Sequence, residues 1–388
     1  DSSLSPGAPS SRKGIAPLHY RLRCRHISPG IAPTLEDLLF PHGIGYFFVM
    51  PKYPKLRVGI PVIDRTDSRR RFSPKASCPG RPEMSLQWCV GVATLLFVLS
   101  TGLTAAASGE PLACNDVRAR FQIKQNQLNT RTLNFFLFDA ADRGCISVAK
   151  ELLSRGASIR ARDQFGNTAV ARAARHGEKQ FLEFLLDQGA VIDPTNVRGS
   201  TPLLQAVIEN RRRTINLLLQ YGADPNAVNK RKVTPLIAAA YNGNFLIVKL
   251  LLDAGASIGG VDATGKGALV YAAAKGFSRI VGALLDAGES VDSRYGYSLT
   301  ALMWASGHTN EVPPSDGAKT VGLLLARGAD LTARDDRGRT ALMIAAQRGH
   351  KHIVELLLDH GADRTMTDNE GKTAWALATD PELRELLL

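Results

Sequence analysis

RGRTALMIAAQRGHKHIVELLLDHGADRTMTD, residues 337–368, decides the fold. Thr340 stands directly before an apolar run, where its hydroxyl can accept a backbone N–H and cap a helix. Ala345 and Ala346 keep one face of that helix small, so a neighbour can approach closely. Gly349 then supplies the left-handed residue that ends the helix, a conformation glycine adopts without a Cβ penalty. A second helix follows, with Leu356, Leu357 and Leu358 toward a core, and Gly361-Ala362 stops it. Polar residues make the turn into the next unit. One helix-turn-helix of this kind cannot bury its apolar face alone; a stack of them can.

The unit recurs with a fixed beat. Thr168, Thr201, Thr234, Gly267 and Thr300 are spaced by 33 residues, followed by Thr340 after 40 and Thr373 after 33. Gly156, Gly189, Gly222, Gly255, Gly288, Gly328 and Gly361 keep the same time. Pro202 and Pro235 occupy the first helical position, which proline suits. Ala173-Ala174 and Ala239-Ala240 repeat the small pair, and Gly177, Gly243 and Gly276 repeat the helix stop, with Asn210 in that place in one unit. Leucine runs at 217–219, 250–252 and 323–325 repeat the second helix.

These units, RKVTPLIAAAYNGNFLIVKLLLDAGASIGGVD (231–262) among them, resemble the ankyrin repeat over residues 131–388. The resemblance implies an all-α ankyrin-repeat solenoid of about eight units counting caps, with short β-turn tips. Both ends depart from the pattern as caps should. Phe135 stands where the first unit's Thr would be, and before it Val117, Phe121 and Leu128 share one helical face, so residues 108–130 are expected to be a lid helix and linker. At the other end Asp380 and Pro381 start a short closing helix carrying Leu383, Leu386 and Leu387. One unit is seven residues longer, within GHTNEVPPSDGAKTV (307–321), and Pro313-Pro314 predict an extruded loop there.

The N-terminal third reads differently. MSLQWCVGVATLLFVLSTGLTAAASGE (84–110) has an uncharged apolar core followed by Ala105 and Ala107 in an A-x-A arrangement, the parts of a signal peptide over 84–107. Its core is shorter than the roughly 20 residues a spanning helix needs. A start at Met84 leaves no Lys or Arg in the n-region, whereas a start at Met50 gives a long basic one, so the true start (Met50, Met84 or upstream) stays open. A membrane anchor is the alternative reading of the segment. Residues 1–83 hold 12 of the 20 prolines and show no helical or strand period. Two readings are open for this Arg/Pro-rich, disordered stretch: a genuine basic arm, or upstream sequence carried by a misplaced start.

Charge and cysteines follow that division. Of the net charge of +12, residues 1–83 carry +8, with 14 Lys and Arg against 6 Asp and Glu, which leaves +4 for the remainder. A nearly balanced remainder without an RNA or DNA motif argues against nucleic acid as a partner. Cleavage after Ala107 would leave two of five cysteines, Cys114 and Cys145. Cys145 follows Gly144 at the start of a second helix, a place expected to be exposed and within reach of the lid, and an exported setting would let the pair oxidise to a disulfide.

No phosphate loop, dinucleotide fingerprint, HExxH or CxxC occurs. His350, His352 and His360 diverge along one helix, and Asp262, Asp335 and Asp368 recur with the turns, so both sets read as structural polar groups. No catalytic, cofactor or metal residues are assigned. The ankyrin resemblance instead implies a concave face, lined by turn tips and first helices, that grips a partner protein. Carried over by position, the tips comprise Phe165, Arg198, Lys230, Arg231, Val233, Lys266, Tyr297, Leu299, Arg337 and Arg339. The first helices contribute Arg175, Ile208 and Tyr241, with Arg172, Tyr271 and Trp304 one step deeper. From these the expected contact set is Arg175, Arg198, Ile208, Arg231, Val233, Tyr241, Tyr297 and Leu299. Aromatics beside arginines are the composition of interface hot spots, and the arginines favour an acidic partner surface. The expectation is therefore an exported, non-enzymatic, monomeric binding scaffold, periplasmic or secreted, that meets the membrane only transiently through its signal peptide. Its rival is a cytosolic or membrane-tethered ankyrin adaptor with a real basic tail.

Overall fold

The computed structural model describes residues 111–124, 129–308 and 312–388. The stretches read as a disordered region (1–83) and a signal peptide (84–107) lie outside them. Seventeen α-helices and only isolated β-bridges occur among the described residues. A lid helix, α1 (Ala113–Ile123), precedes eight helix pairs. The first helices of the pairs are α2 (Thr130–Arg143), α4 (Ala169–His176), α6 (Pro202–Ile208), α8 (Pro235–Tyr241), α10 (Ala268–Ala274), α12 (Ala301–Ser306), α14 (Ala341–Arg348) and α16 (Ala374–Leu377). Their partners are α3 (Ile146–Ser154), α5 (Lys179–Asp187), α7 (Arg212–Gln220), α9 (Phe245–Asp253), α11 (Ser278–Asp286), α13 (Pro314–Ala326), α15 (Lys351–Asp359) and α17 (Pro381–Leu386).

Local chemistry sets the helix ends. The hydroxyls of Thr168, Thr201, Thr234, Thr300, Thr340 and Thr373 each accept the N–H three residues on, with Thr234 taking Ile237 at 3.1 Å. Gly267 lacks a side chain and makes no such cap. The predicted stops are left-handed, as at Gly349 (φ 77°), and Asn210 takes the same conformation at φ 57°. Stacking then does the burying. Each first helix packs on the first helices before and after it. That is why all seven residues of α6 are buried, and why alanine pairs suit this position. In the second helices the middle leucine of each run, Leu218, Leu251, Leu324 or Leu357, is fully buried.

Two expectations need correction. Phe135 does not begin the first unit. Asn129 caps α2 by accepting from Thr132 N–H at 2.9 Å, so the helix starts earlier and Phe135 lies within it, 57% exposed. Nor is the 307–321 insertion simply an extruded loop. Pro313 and Pro314 take the N-cap and first position of α13, where no N–H is needed, and the added residues lengthen that helix to 13.

The lid does cover the first pair. Val117 and Phe121 are buried, and Phe121 meets Phe136 edge to face at 5.5 Å. Leu128, also assigned to that face, lies outside the described residues. The Sγ atoms of Cys114 and Cys145 are 2.11 Å apart, at disulfide distance. Cys145 is buried under the lid, not exposed as its place at a helix start had suggested.

Candidate partner-binding face

The turns between pairs are built alike. A backbone bond closes each loop: Asp163 N–H to Asn167 O at 2.9 Å, Asn196 N–H to Ser200 O at 3.1 Å, Asp335 N–H to Arg339 O at 3.0 Å. Inside the loop the turn acid or amide accepts two more N–H groups. Asp335 Oδ1 takes those of Arg337 (2.9 Å) and Arg339 (2.8 Å), and Asp262 Oδ1 those of Thr264 and Lys266. The recurring aspartates are turn chemistry, as their spacing indicated.

Successive tips are joined directly. Val197 N–H donates to Phe165 O at 2.9 Å, Lys230 to Arg198 at 2.9 Å, Ala263 to Arg231 at 2.8 Å, Asp336 to Tyr297 at 3.2 Å and Asn369 to Arg337 at 2.9 Å. The fourth tip bonds one residue later, Gly296 N–H to Gly265 O. Phe165, Arg198, Arg231, Tyr297 and Arg337 thus occupy one register position along the stack, and all five side chains are exposed. Phe165 is 54% and Tyr297 75% accessible. Tyr297 also holds a left-handed backbone at φ 64°, a conformation uncommon outside glycine.

Four of the expected contact residues are less available. Val233 is 2% exposed, because Asn229 Oδ1 holds its N–H at 3.0 Å and turns the side chain under the tip. Ile208 is 6% exposed at the end of the wholly buried α6, and its carbonyl accepts from Asn242 Nδ2 at 3.1 Å. Leu299 is half-buried. Tyr241 is half-buried too, with Lys275 Nζ 3.6 Å above its ring and Tyr271 edge-on at 5.4 Å. Arg175 keeps partial exposure and reaches Glu209 at 3.4 Å.

The tyrosine belongs to a ladder of cations and rings across first helices. Tyr271 is buried, its hydroxyl donates to Asp262 Oδ2 at 2.6 Å, and burial with that bond pushes its pKa up. Lys266 lies 5.8 Å from the Tyr271 ring centroid and 5.2 Å from that of Trp304. Such contacts stiffen the face more than they offer it. Both lysines belong to the unit of Tyr271 and reach across to the rings of its neighbours, Lys275 to Tyr241 and Lys266 to Trp304.

One feature of the N-terminal end escaped the sequence. Arg131, Phe135, Phe138, Arg162, Phe165 and Arg172 line an open cleft of about 750 Å³ between α2 and the first tip. Arg172 pairs with Asp142 and Asp163 and lies over Phe138 at 5.8 Å. Burial disfavours its charge, yet the two aspartates outweigh that and raise its pKa. The signal was the exposed Phe135, misread as a degenerate cap.

The histidines take separate partners. His350 Nδ1 meets Ser306 O at 2.9 Å, His352 faces Glu355 at 3.2 Å and His360 faces the Leu356 carbonyl at 2.8 Å. Among the described residues no group of three or more His, Cys, Asp or Glu is placed to hold a metal, and no helix is long and apolar enough to cross a membrane.

A stack of helix pairs displaying an exposed register position at successive turns defines a repeat solenoid with an extended, accessible edge. A family model described as ankyrin repeats (3 copies) matches residues 137–229, 223–295 and 315–388, more than half of the sequence, and the chain belongs to the ankyrin-repeat family. No curated protein matches it significantly. Ankyrin repeats generally mediate protein–protein interaction and are typically non-enzymatic.

Proposed function

We propose that this chain is an exported, non-enzymatic, monomeric scaffold that binds a partner protein through the concave side of its stack. One observation carries the reading: the tips hold exposed aromatic and arginine side chains in a single register. Those residue types dominate interface energetics because they combine large contact area with charge-assisted hydrogen bonds. Export, to a periplasmic or secreted destination, is supported by the apolar core and A-x-A of residues 84–107. The Cys114–Cys145 pair at disulfide distance suits an oxidising compartment.

The test compares partner capture from the native host by wild type and three variants. Combined Arg198→Ala, Arg231→Ala and Tyr297→Ala should lose the partner while keeping the thermal midpoint within a few degrees, as exposed positions do. Lys249→Ala, exposed on α9, should change neither. Leu251→Ala should cost about 2–5 kcal/mol of stability and lose binding only through unfolding. Equal capture by wild type and the triple variant rejects the tip face. In the same preparation the mature chain should begin at or near Ser108; an intact 84–107 segment that fractionates with membranes points to the tethered adaptor.

A further inference from the structure

The cleft between α2 and the first tip holds charge that the fold leaves unmatched. Arg120, Arg131, Arg162 and Arg172 line it against two carboxylates, Asp139 and Asp163. Both carboxylates are already spent. Asp139 takes Arg120 and, at 3.1 Å, Arg143. Asp163 accepts the N–H groups of Phe165 (2.9 Å) and Asn167 (2.8 Å) through Oδ1, and Asn167 Nδ2 (3.3 Å) and Arg172 (2.9 Å) through Oδ2. Arg172 also holds Asp142, and Arg120 also holds Asp116. The other two cations have no carboxylate at ion-pair distance among the described residues. Arg162 Nη1 donates to the carbonyls of Gly166 at 2.8 Å and Thr195 at 2.5 Å, which fixes the side chain and leaves its charge uncompensated. Arg131, exposed on the first turn of α2, forms no side-chain hydrogen bond or ion pair among the described residues. Apolar surface lies beside that charge. Phe135 and Phe165 are 57% and 54% exposed, and Phe135 is backed edge to face by the buried Phe136 at 5.6 Å.

We propose that this cleft is an anchor pocket for the partner protein, and that it takes a segment in which one large apolar side chain is flanked by carboxylates. The proposal rests on the partner-binding reading above and names the chemistry of the ligand. An apolar side chain laid on Phe135 and Phe165 removes their rings from water. A carboxylate beside it accepts charge-assisted hydrogen bonds from Arg131 and Arg162, which are roughly twice as strong as neutral ones. Neither half of the ligand suffices alone, because the rings offer no charge and exposed guanidinium pairs are screened by water. The chain's own remaining segments do not fit. Residues 84–107 are apolar but hold no carboxylate, and residues 1–83 carry a net +8. A nucleic-acid strand has a phosphate at every step and would crowd Asp139 and Asp163, whereas a short acidic segment need meet only the two unmatched arginines.

Fluorescence anisotropy with the full chain tests the pocket, using labelled twelve-residue peptides titrated into the millimolar range. The probe carries Asp-Phe-Glu between glycine-serine flanks. Control peptides carry Asp-Ala-Glu, Asn-Phe-Gln or Lys-Phe-Lys in the same place, and a labelled oligothymidine of twelve nucleotides is the last control. The probe should bind at least tenfold more tightly than each of them. Phe135→Ala with Phe165→Ala should weaken it fivefold or more, Arg131→Gln at least threefold, and Lys249→Ala not at all. All three variants should keep the thermal midpoint within a few degrees, since the altered side chains are exposed. Asp-Ala-Glu binding as tightly as the probe would reduce the cleft to charge attraction, and Asn-Phe-Gln doing so would reduce it to bare apolar contact. Either result overturns the proposal, as does tighter binding of the oligonucleotide or a probe affinity indifferent to the phenylalanine pair. Native partner capture separates the two readings. If the probe fails, and capture survives the phenylalanine pair but is lost with Arg198→Ala, Arg231→Ala and Tyr297→Ala, the pocket falls and the tip face stands. Capture lost with the phenylalanine pair and kept by the tip variant supports the pocket and rejects the tips.

Discussion

His350 is held where its fold opposes a positive charge. Burial acts first, the neighbouring His308 and Arg348 add to it, and the Ser306 carbonyl only partly offsets them, so its pKa falls below the ordinary value of about 6.5. Its ring also stacks on His308, with centroids 4.1 Å apart. On acidification the unfolded chain takes up this proton before the folded one. The stability His350 contributes is therefore complete above pH ~6.5 and is lost as pH falls through its depressed folded value. Thermal midpoints measured between pH 7.5 and 5 should drop for wild type, and His350→Gln should flatten part of that slope. Parallel slopes for the two proteins would remove His350 from the account. Carboxylates raised by burial, such as Glu289, act in the opposite sense in their own range, so only the difference between the two proteins isolates the histidine.

At the scale of elements, α13 shows how a unit absorbs seven added residues. Its first turns close over His308, and Gly317 makes that approach possible. A Cβ there would come within 2.6 Å of His308 Cδ2, while the ring is held from behind by His350. Gly317→Ala gains helix propensity of about 1 kcal/mol but forces the overlap, which in packed sites costs about 1–3 kcal/mol. Denaturant unfolding should find the variant less stable than wild type. In a His308→Ala background, with the ring gone, the same substitution should become neutral or stabilising. A penalty that persists there would show that the helix backbone, not the histidine contact, needs the glycine. Val312 on the same insertion covers Gly276, whose added Cβ would meet Val312 Cγ1 at 2.7 Å, so the longer unit is seated against its neighbour on both sides.

Across the whole stack, the ends decide stability because each repeat is supported only by its neighbours. At the first end the lid α1 supplies that support through Val117 and Phe121, and the Cys114–Cys145 pair ties it to the first helix pair across 31 residues. Closing a loop of that length stabilises by about 3.7 kcal/mol in the chain-entropy account. Cys114→Ser should lower the midpoint by several degrees and expose the first pair to proteolysis before the rest. Thiol labelling of the denatured, unreduced protein should find none of this pair free; two free thiols in it would reject the tie. Arg120 adds a second link, from the lid to Asp139 of α2.

What the sequence determined by itself was the architecture, because in a repeat protein every signal is local and is written seven times. Threonine caps, glycine stops, small helix faces and turn aspartates act within a few residues of themselves, so the helices, their order and their stacking were legible from Thr168 onward, except for the early start of α13 within the insertion. The lid and its cysteine pairing were legible too, since both lie in sequence beside the unit they cover. The accessible face was only partly so. Arg198, Arg231 and Tyr297 emerged exposed where position placed them, whereas Val233 and Ile208 went inside and Tyr241 was covered by Lys275. Position within a unit says which way a side chain sets out. What meets it there depends on the next unit, on a lysine 34 residues away or an amide that turns the loop under. The common register of the five tip residues was likewise decided by bonds between turns, which no single unit contains. Tertiary structure alone settled those points, because exposure and alignment are properties of the stack and not of the repeat.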